Sequence, residues 1–371
     1  MKPKLTSYFT PGPVEMPPEI CAITGEQIPY FRNSWFSRIV RECEEGMLKL
    51  VGAPSGSRVL LLTCSGTGGM EAALANFADP RKPTLVINSQ GFGQRLVDIC
   101  RALGRPVREV RLNMGKAFRP HHMSRANMDG VTLVAAQAHD TISGVLHDVA
   151  AISELAKQTG ALLAIDAISS FLCDPLNMER LNIDIVIISS QKALALAPGL
   201  AMLVLSPRAV EILSNPDHAP GTYYFNLVDA LANAERGQTP FTPAVGIVMQ
   251  LHARLRQIQR EGLENVIAHT AHLAHYFRKK IMDEGLPFRI FPDIPSNAIT
   301  ALECTDKSMN AREMVQRIAD EHGLFLTPNG GELGERVFRV SHMGEQTVEA
   351  LDNLIDVLSA YVEEHGNRGR S

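Results

Sequence analysis

The feature that most constrains the fold of this chain is a repeated alternation between short apolar runs and helix-length segments. The runs occupy residues 59–63, 85–88, 107–112, 131–136, 161–165, 183–188 and 200–205. Most lack the polar–apolar alternation of a strand with one wet face, so both faces must be buried. Strands of that kind, separated by helices, predict an α/β fold with a mainly parallel sheet. Each parallel connection has to cross over, and the crossing helices cover the sheet on both sides. Ligands of such sheets sit beyond the carboxyl ends of the strands.

Polar chemistry collects at those ends. Residues 59–63 run into Cys64-Ser65-Gly66-Thr67-Gly68-Gly69 and then a helix. A strand, a Gly/Ser/Thr turn and a helix start form an anion site, because free backbone N–H groups, the helix dipole and hydroxyls converge there. Ser65, Gly66 and Thr67 are the candidate phosphate contacts. No Gly-Lys-Ser/Thr follows and no Gly-x-Gly-x-x-Gly comes after Thr63, so this is neither a Walker loop nor a dinucleotide fingerprint. Read alone, the loop is equally a tight βα connection. Phe92 stands between Gly91 and Gly93, placed to stack on a flat ligand or to fill a core.

Further along, residues 131–136 end in Gln137-Ala138-His139-Asp140-Thr141, and residues 161–165 end in Asp166. A carboxylate at the end of a buried strand needs a cationic or N–H partner, with helix capping as the plain alternative. The run 183–188 stops on Ser189-Ser190-Gln191-Lys192, one crossover after Asp166. A lysine held in a partly dry pocket sheds its proton and becomes a nucleophile. By itself the stretch favours a lysine that snorkels into water. Compatible chemistry at several successive strand ends is hard to assign to caps and turns alone.

The chain has 371 residues, enough for two domains. With 45% hydrophobic residues, 20% charged residues and a net charge of -4, it reads as an ordinary soluble globular protein. The mild acidity argues against nucleic acid or an anionic membrane as the main partner. No apolar run approaches a membrane span, and Met1 to Ser7 lacks the apolar core of a secretory signal. The six cysteines are scattered without metal-ligand spacing, which fits free thiols in a reducing cytoplasm. His269, His272 and His275 fall at helical spacing and read as a solvated face rather than a metal site.

The expected organisation is an N-terminal arm (1–15), a large α/β domain (16–250) and a smaller α+β domain (251–371). The arm carries the rigid Thr10-Pro11-Gly12-Pro13 turn. Long amphipathic helices are expected over 245–261 and 263–284. The small domain should hold strands near 288–291, 298–303, 324–327 and 337–341 and helices over 311–322 and 346–364, with a frayed tail from 363. Alternation along 335–344 puts Arg336 and Arg339 on opposite faces.

Taken together, these residues resemble a known group. Thr10-Pro11-Gly12-Pro13, Ser65-Gly66-Thr67-Gly68 with Met70-Glu71-Ala72, Gly91-Phe92-Gly93-Gln94-Arg95, Thr141 with Ser143-Gly144, Asp166, Ser190-Gln191-Lys192-Ala193-Leu194, and Phe338-Arg339-Val340 with Met343-Gly344 are similar to the class V, fold-type I pyridoxal-phosphate aminotransferases. Each motif is weak; their order and strand-end placement are specific, and they span nearly the whole chain. The nearest subgroup is the alanine/serine–glyoxylate (or –pyruvate) aminotransferases, with 2-aminoethylphosphonate–pyruvate aminotransferases close by.

The resemblance implies a mainly parallel sheet of the seven-stranded type and pyridoxal 5'-phosphate as cofactor. It also implies a homodimer with shared active sites, small amino-acid and keto-acid substrates and a ping-pong exchange. It assigns Lys192 as the Schiff-base lysine and proton shuttle, and Asp166 as the partner of the pyridinium nitrogen. Phe92 would stack on the ring, Thr141 would bond the ring-hydroxyl side, and Ser65, Gly66, Thr67 and Gln191 would hold the phosphate. Thr242 would reach the phosphate from the neighbouring subunit. Gly12 would line the substrate site and Arg339 would clamp the substrate carboxylate.

Two departures keep other readings open. Asp140 stands where the family usually has Glu, and His139-Asp140-Thr141-x-Ser-Gly is also similar to pyridoxamine–pyruvate aminotransferase, which takes a non-phosphorylated ring. The retained Ser65-Gly66-Thr67 favours phosphate. A cysteine desulfurase-like lyase would carry His before the lysine and a cysteine on the loop before the last arginine. Here Gln191 precedes Lys192, and no cysteine lies between Phe325 and Arg339. A non-catalytic relative would not need Lys192, Asp166 and the phosphate loop intact. Arg32, Arg95 and Arg336 are the candidates for recognising a second substrate anion.

Overall fold

A computed structural model describes residues 7–368 of the chain, so the first six and last three residues lie outside the description. The chain opens with β1 (Ser7–Tyr8), α1 (Pro18–Ile23) and α2 (Ser34–Leu50), the last capped by the Asn33 side chain accepting from Phe36 N at 2.8 Å. The predicted alternation follows as β2 (Arg58–Leu62), α3 (Gly66–Phe77), β3 (Thr84–Asn88), α4 (Gly91–Ala102), β4 (Val107–Arg111) and β5 (Leu133–Gln137). A short hairpin, β6 (His139–Asp140) and β7 (Val145–Leu146), leads to α5 (Val149–Lys157), β8 (Leu162–Asp166), β9 (Ile185–Ser189) and β10 (Ala201–Leu205).

These strands form one seven-stranded sheet in the order β2-β10-β9-β8-β5-β3-β4. It is parallel from β9 through β4, and β10 runs antiparallel to both of its neighbours. Its inner strands β10, β9, β8, β5 and β3 are buried along their whole length because helices cover both faces, whereas the edge strand β4 alternates charged and apolar residues and is only partly buried. Val186 and Ile188 of β9 lie in one core with α2, while Ile185 and Ile187 lie in the opposite core with α3. Parallel pairing places the ends of β3, β5, β8 and β9 along one edge, where the polar residues had been read.

The remainder comprises α6 (Pro207–Ser214), α7 (Leu227–Glu235), α8 (Val245–Glu261), α9 (Leu263–Asp283), β11 (Phe288–Ile290), β12 (Ile299–Cys304), α10 (Ala311–His322), β13 (Leu324–Phe325), β14 (Thr327–Pro328), β15 (Val337–Ser341) and α11 (Val348–Arg368). Strands β11-β12-β15-β14 make an antiparallel sheet with its own core, which includes Phe277, Leu302, Met314, Phe338 and Leu354. Several expectations need correction. Helices α1, α6 and α7 were not read from the sequence. The strand expected over 324–327 is two short strands, and α11 continues to Arg368 rather than fraying at 363. The expected domain boundary at 250 falls within α8, whose Leu251, Leu255 and Ile258 belong to the large-sheet core, as do Val266 of α9 and Ile299 of β12.

The arm does more than lead into the fold. β1 pairs parallel with β13, and Phe9 is fully buried in the small-sheet core. Phe9 N donates to Phe325 O at 2.8 Å and Ser341 N donates to Phe9 O at 2.9 Å. The two cores are also tied through Asp174, a buried carboxylate that accepts from Ser296 Oγ and from Asn297 N at 3.1 Å. Asn297 in turn donates to Cys173 O at 3.2 Å. Replacing Asp174 with Ala strands one buried donor and one half-buried donor. It should lower unfolding free energy by about 1–3 kcal/mol. A denaturant titration should show a lower midpoint with an unchanged slope; an unaltered midpoint would show that this contact adds nothing to stability.

Candidate active site

The carboxyl edge of the large sheet gathers most of the predicted residues, and local backbone chemistry explains how. Lys192 sits on a tight turn between β9 and β10. Ala195 N donates to Lys192 O at 2.7 Å, and Ala195 itself takes a left-handed φ of 55°. The turn aims Lys192 back across the strand ends, where its Nζ donates to Pro11 O of the arm at 2.5 Å. Gly12 closes this contact. Its φ is +136°, and a Cβ there would stand 2.9 Å from Lys192 Cδ and 3.1 Å from Gln191 O.

Asp166 ends β8 and is buried, with Oδ1 accepting from Ile168 N at 2.9 Å. Burial pushes its carboxyl up to about 6, opposed by that N–H and by Lys192. Burial pushes the Lys192 ammonium the other way, from 10.5 down to about 8, opposed by Asp166. An amine with that value is substantially neutral near pH 8 and able to attack or accept a proton.

At the other end of the site, Gly66 opens α3. A Cβ on Gly66 would meet Ile168 Cδ1 at 2.5 Å and Ser189 Oγ at 3.2 Å, so glycine lets this helix start approach the edge without moving the Ile168 side chain. Ser65 occupies the N-cap position, but its side chain makes no capping bond. The hydroxyl and the first-turn N–H groups are thus left to an external acceptor. Phe92 lies in the first turn of α4. A sharp turn precedes it, with Gln90 at φ 69° and Gly91 at φ 49°. A Cβ on Gly91 would strike Asp140 Oδ1 and Ile142 Cγ1, both at 2.8 Å. Asp140 is itself committed to its own loop, accepting from Ile142 N, Ser143 N and Ser143 Oγ. Asp140 is therefore a loop-holding carboxylate packed beneath the Phe92 turn.

The small sheet contributes Arg339, 7% exposed. It donates from Nη1 to Thr141 O at 3.1 Å and from Nη2 to Pro328 O at 3.0 Å, while its Nε is buried without a partner among the described residues. Burial lowers this guanidinium to about 10, with Asp140 opposing. A buried cation held by neutral carbonyls has the chemistry to accept a carboxylate. The site also has polar atoms with no partner among the described residues: Gln191 Oε1, Ser189 Oγ, His139 Nε2 and both side-chain atoms of Asn329. Asn329 N donates to Val337 O at 2.9 Å, which extends the β14–β15 register and puts Asn329 on the same sheet face as Arg339.

The sequence reading missed two participants. The Pro11 carbonyl is a backbone group and leaves no side-chain signal. Ser169 accepts from Thr141 Oγ1 at 3.0 Å and lies 2.9 Å from His139 Nδ1. Burial holds His139 down at about 3, so its ring is neutral. The Ser169-Ser170 pair just after Asp166 was the available sign of this network. Thr242 is not brought to this edge by contacts of its own chain. It is exposed, on a segment anchored where Ala244 N donates to Thr63 Oγ1 at 2.9 Å. Arg32 is absorbed by Gln238, Thr239 and Pro240, and Arg336 pairs with Glu303, so neither is free for a substrate anion.

The family model for aminotransferase class-V matches residues 30–348. The chain belongs to the class-V aminotransferases. An L-aspartate–glyoxylate aminotransferase of Paracoccus denitrificans is 29% identical, over 91% of this chain and 86% of its own. A serine–glyoxylate aminotransferase of Arabidopsis thaliana is 26% identical, over 91% of this chain and 85% of its own. The solved pyridoxamine–pyruvate aminotransferase of Mesorhizobium loti superposes with a TM-score of 0.89 at 25% identity, covering 99% of this chain and 93% of that one. No helix of this aminotransferase, among the described residues, is long and apolar enough to cross a membrane.

The lowered Lys192 value has a direct test. Desolvation favours the neutral amine, and Asp166 favours the ammonium. Trace acetylation of the cofactor-free protein, read by mass spectrometry across pH, should therefore show Lys192 reacting with a midpoint near 8. Asp166→Asn should move that midpoint lower. A midpoint in the ordinary lysine range of about 10.4, or an upward shift in the Asp166 variant, would show that the amine is not desolvated.

Proposed function

We propose that this class-V aminotransferase uses pyridoxal 5'-phosphate to move an amino group from a small amino acid of the alanine or serine type to a small 2-keto acid, glyoxylate or pyruvate. The observation that carries this reading is the convergence of Lys192, Asp166 and Arg339 on one sheet edge: an amine near neutrality, a buried carboxylate and a buried guanidinium with an unused donor. The residues fit the cofactor. The open first turn of α3 suits its phosphate, Asp166 suits its ring nitrogen, Phe92 offers a ring face, and the unpartnered atoms of Gln191 and Ser189 supply further polar contacts. When bound, the cofactor supplies an electron sink for a carbanion at the substrate Cα.

In this reading Lys192 holds the ring and then moves the proton at Cα. Asp166 keeps the ring nitrogen protonated. Ser65, Gly66, Thr67 and Gln191 hold the phosphate, and Thr141, oriented by Ser169, serves the ring-hydroxyl side. Arg339 fixes the α-carboxylate through the donors that its carbonyl partners leave free, and Gly12 keeps the approach to Lys192 open. The named relatives share a glyoxylate or pyruvate acceptor, which supports a small keto acid. The alternative of a desulfurase-like lyase is disfavoured because Gln191 precedes Lys192 and no cysteine lies between Phe325 and Arg339.

A dimer with shared sites is part of the same proposal. Tyr30, Tyr223 and Tyr224 are exposed, and Tyr224 stacks on Phe241 at 5.1 Å. A cleft next to them is lined by Ile28, Tyr30, Thr242 and Ile247. An apolar rim of this kind around Thr242 is what a second copy would cover. Sedimentation should return a dimer, and Thr242→Ala should weaken cofactor binding without dissociating it; a monomer that holds the cofactor normally would remove this part.

Two substitutions test the core of the proposal. Borohydride treatment of cofactor-loaded protein should fix the ring on Lys192, and Lys192→Ala should abolish both the fixation and turnover. Arg339→Ala should raise the KM for keto acids about 10- to 100-fold, as expected for losing a charge-assisted bidentate contact, with the cofactor spectrum unchanged. A colourless protein that takes up no cofactor would sink the first; unchanged keto-acid KM would take Arg339 out of the site.

A further inference from the structure

Arg95, expected from the sequence as a candidate for a second substrate anion, touches two elements of the site at once. It lies one turn along α4 from Phe92, and its guanidinium stands 4.2 Å over the centroid of the Phe92 ring. Its Nη1 donates to Thr67 Oγ1 at 2.8 Å, across to the first turn of α3. Asp166 also senses this charge, which lowers the carboxyl's proton affinity. The side chain is largely exposed, and its contacts are an aromatic face and a hydroxyl rather than a carboxylate. A contact between residues three apart on one helix is unremarkable by itself. The bond to Thr67 on a different helix is what needs a reason.

The chemistry supplies one. A threonine hydroxyl that accepts from a guanidinium keeps its own proton free, and it is polarised to donate. The free direction is available to an anion at the α3 N-terminus, where Ser65 makes no capping bond. The guanidinium then stands one hydroxyl away from that anion without a competing carboxylate. A neutral hydroxymethyl group in the same place would gain little from either effect.

We propose that Arg95 is the positioning residue that makes this site select a phosphorylated ring over a non-phosphorylated one, by orienting the Thr67 hydroxyl and placing positive charge beside it. This rests on the cofactor reading above. The question is concrete for this fold, because one solved neighbour is named for pyridoxamine. The stack on Phe92 serves both kinds of ring, so the selectivity is expected from the Thr67 side alone.

The experiment titrates cofactor-free wild type, Arg95→Gln and Arg95→Lys with pyridoxal 5'-phosphate and, separately, with pyridoxal, reading ring absorbance and equilibrium Kd. Arg95→Gln should weaken binding of the phosphorylated ring about ten-fold, the size of one charge-assisted contact. It should weaken pyridoxal by less than about three-fold, as expected for a lost exposed cation–π contact. Arg95→Lys keeps the charge but not the fork, and should lose part of the selectivity. Equal loss for both rings, or no loss for either, overturns the proposal. Wild type that binds neither ring instead overturns the cofactor reading. Should Arg95→Gln fail to fold by circular dichroism, Arg95→Lys decides alone: a selectivity equal to wild type overturns the proposal, and a reduced one supports it.

Discussion

The constraint on which the site depends is the desolvation of Lys192. An ammonium is poorly tolerated away from water. Here it meets one carbonyl, from Pro11, and the field of one carboxylate, Asp166, which is itself pushed toward its neutral form. Neither partner neutralises it fully, so the amine drifts toward the uncharged state in which it has chemistry to do. The sheet creates this condition geometrically. Parallel pairing brings β8 and β9 to a common edge, and the tight Lys192–Ala195 turn keeps the chain from carrying the lysine out to solvent.

That same constraint explains why the N-terminal arm is so firmly held. A carbonyl can meet Lys192 Nζ only if the arm passes over the large sheet, and the arm is secured there by the small unit. β1 pairs with β13, Phe9 fills the small core, and Gln346 Nε2 donates to Tyr8 O at 2.8 Å. Arg339 approaches the same space from β15, with its guanidinium clasped by carbonyls of Thr141 and Pro328. The position of the small unit against the large one therefore sets both the acceptor for the amine and the place of the Arg339 guanidinium. The close seam between Gly144 and Ala301, where a Cβ on the glycine would stand 3.3 Å from the alanine Cβ, leaves little slack in that position.

How much of this was legible depended on where the information resides. The mainly parallel sheet was readable because its inner strands are buried on both faces, which leaves them nearly continuous apolar runs, while its seven-stranded type came from the family resemblance. Lys192, Asp166, Thr141, Phe92 and Ser65–Thr67 were readable because each ends or follows one strand. Helices α6 and α7 were missed because their apolar stripes are short. Their caps were nevertheless written in the chain: Ser206 accepts from Ala209 N ahead of Pro207, and Asn226 accepts from Val228 N and Asp229 N. The Pro11 carbonyl could not be read at all, since any residue offers one. Thr242 is the converse case: its proposed role lies on a second copy, beyond what one chain's contacts display.

Asp140 shows how a departure from a family pattern is to be weighed. A shorter carboxylate at that strand end invites a reading as altered ligand chemistry. Its geometry points elsewhere, because both oxygens are occupied by Ile142 N, Ser143 N and Ser143 Oγ, and Gly91 packs against it closely enough to exclude a Cβ. The aspartate shapes the 140–143 loop, and that loop carries the Thr141 carbonyl that holds Arg339 and lies under the turn that presents Phe92. A change of one methylene there acts on two site residues without touching a ligand. The α3 start, where the proposal places the phosphate, has no such internal carboxylate among the described residues: Ser65 makes no capping bond, and Thr67 Oγ1 accepts from Arg95. The argument for a phosphorylated ring therefore rests on that end of the edge, and the departure at Asp140 does not bear on it.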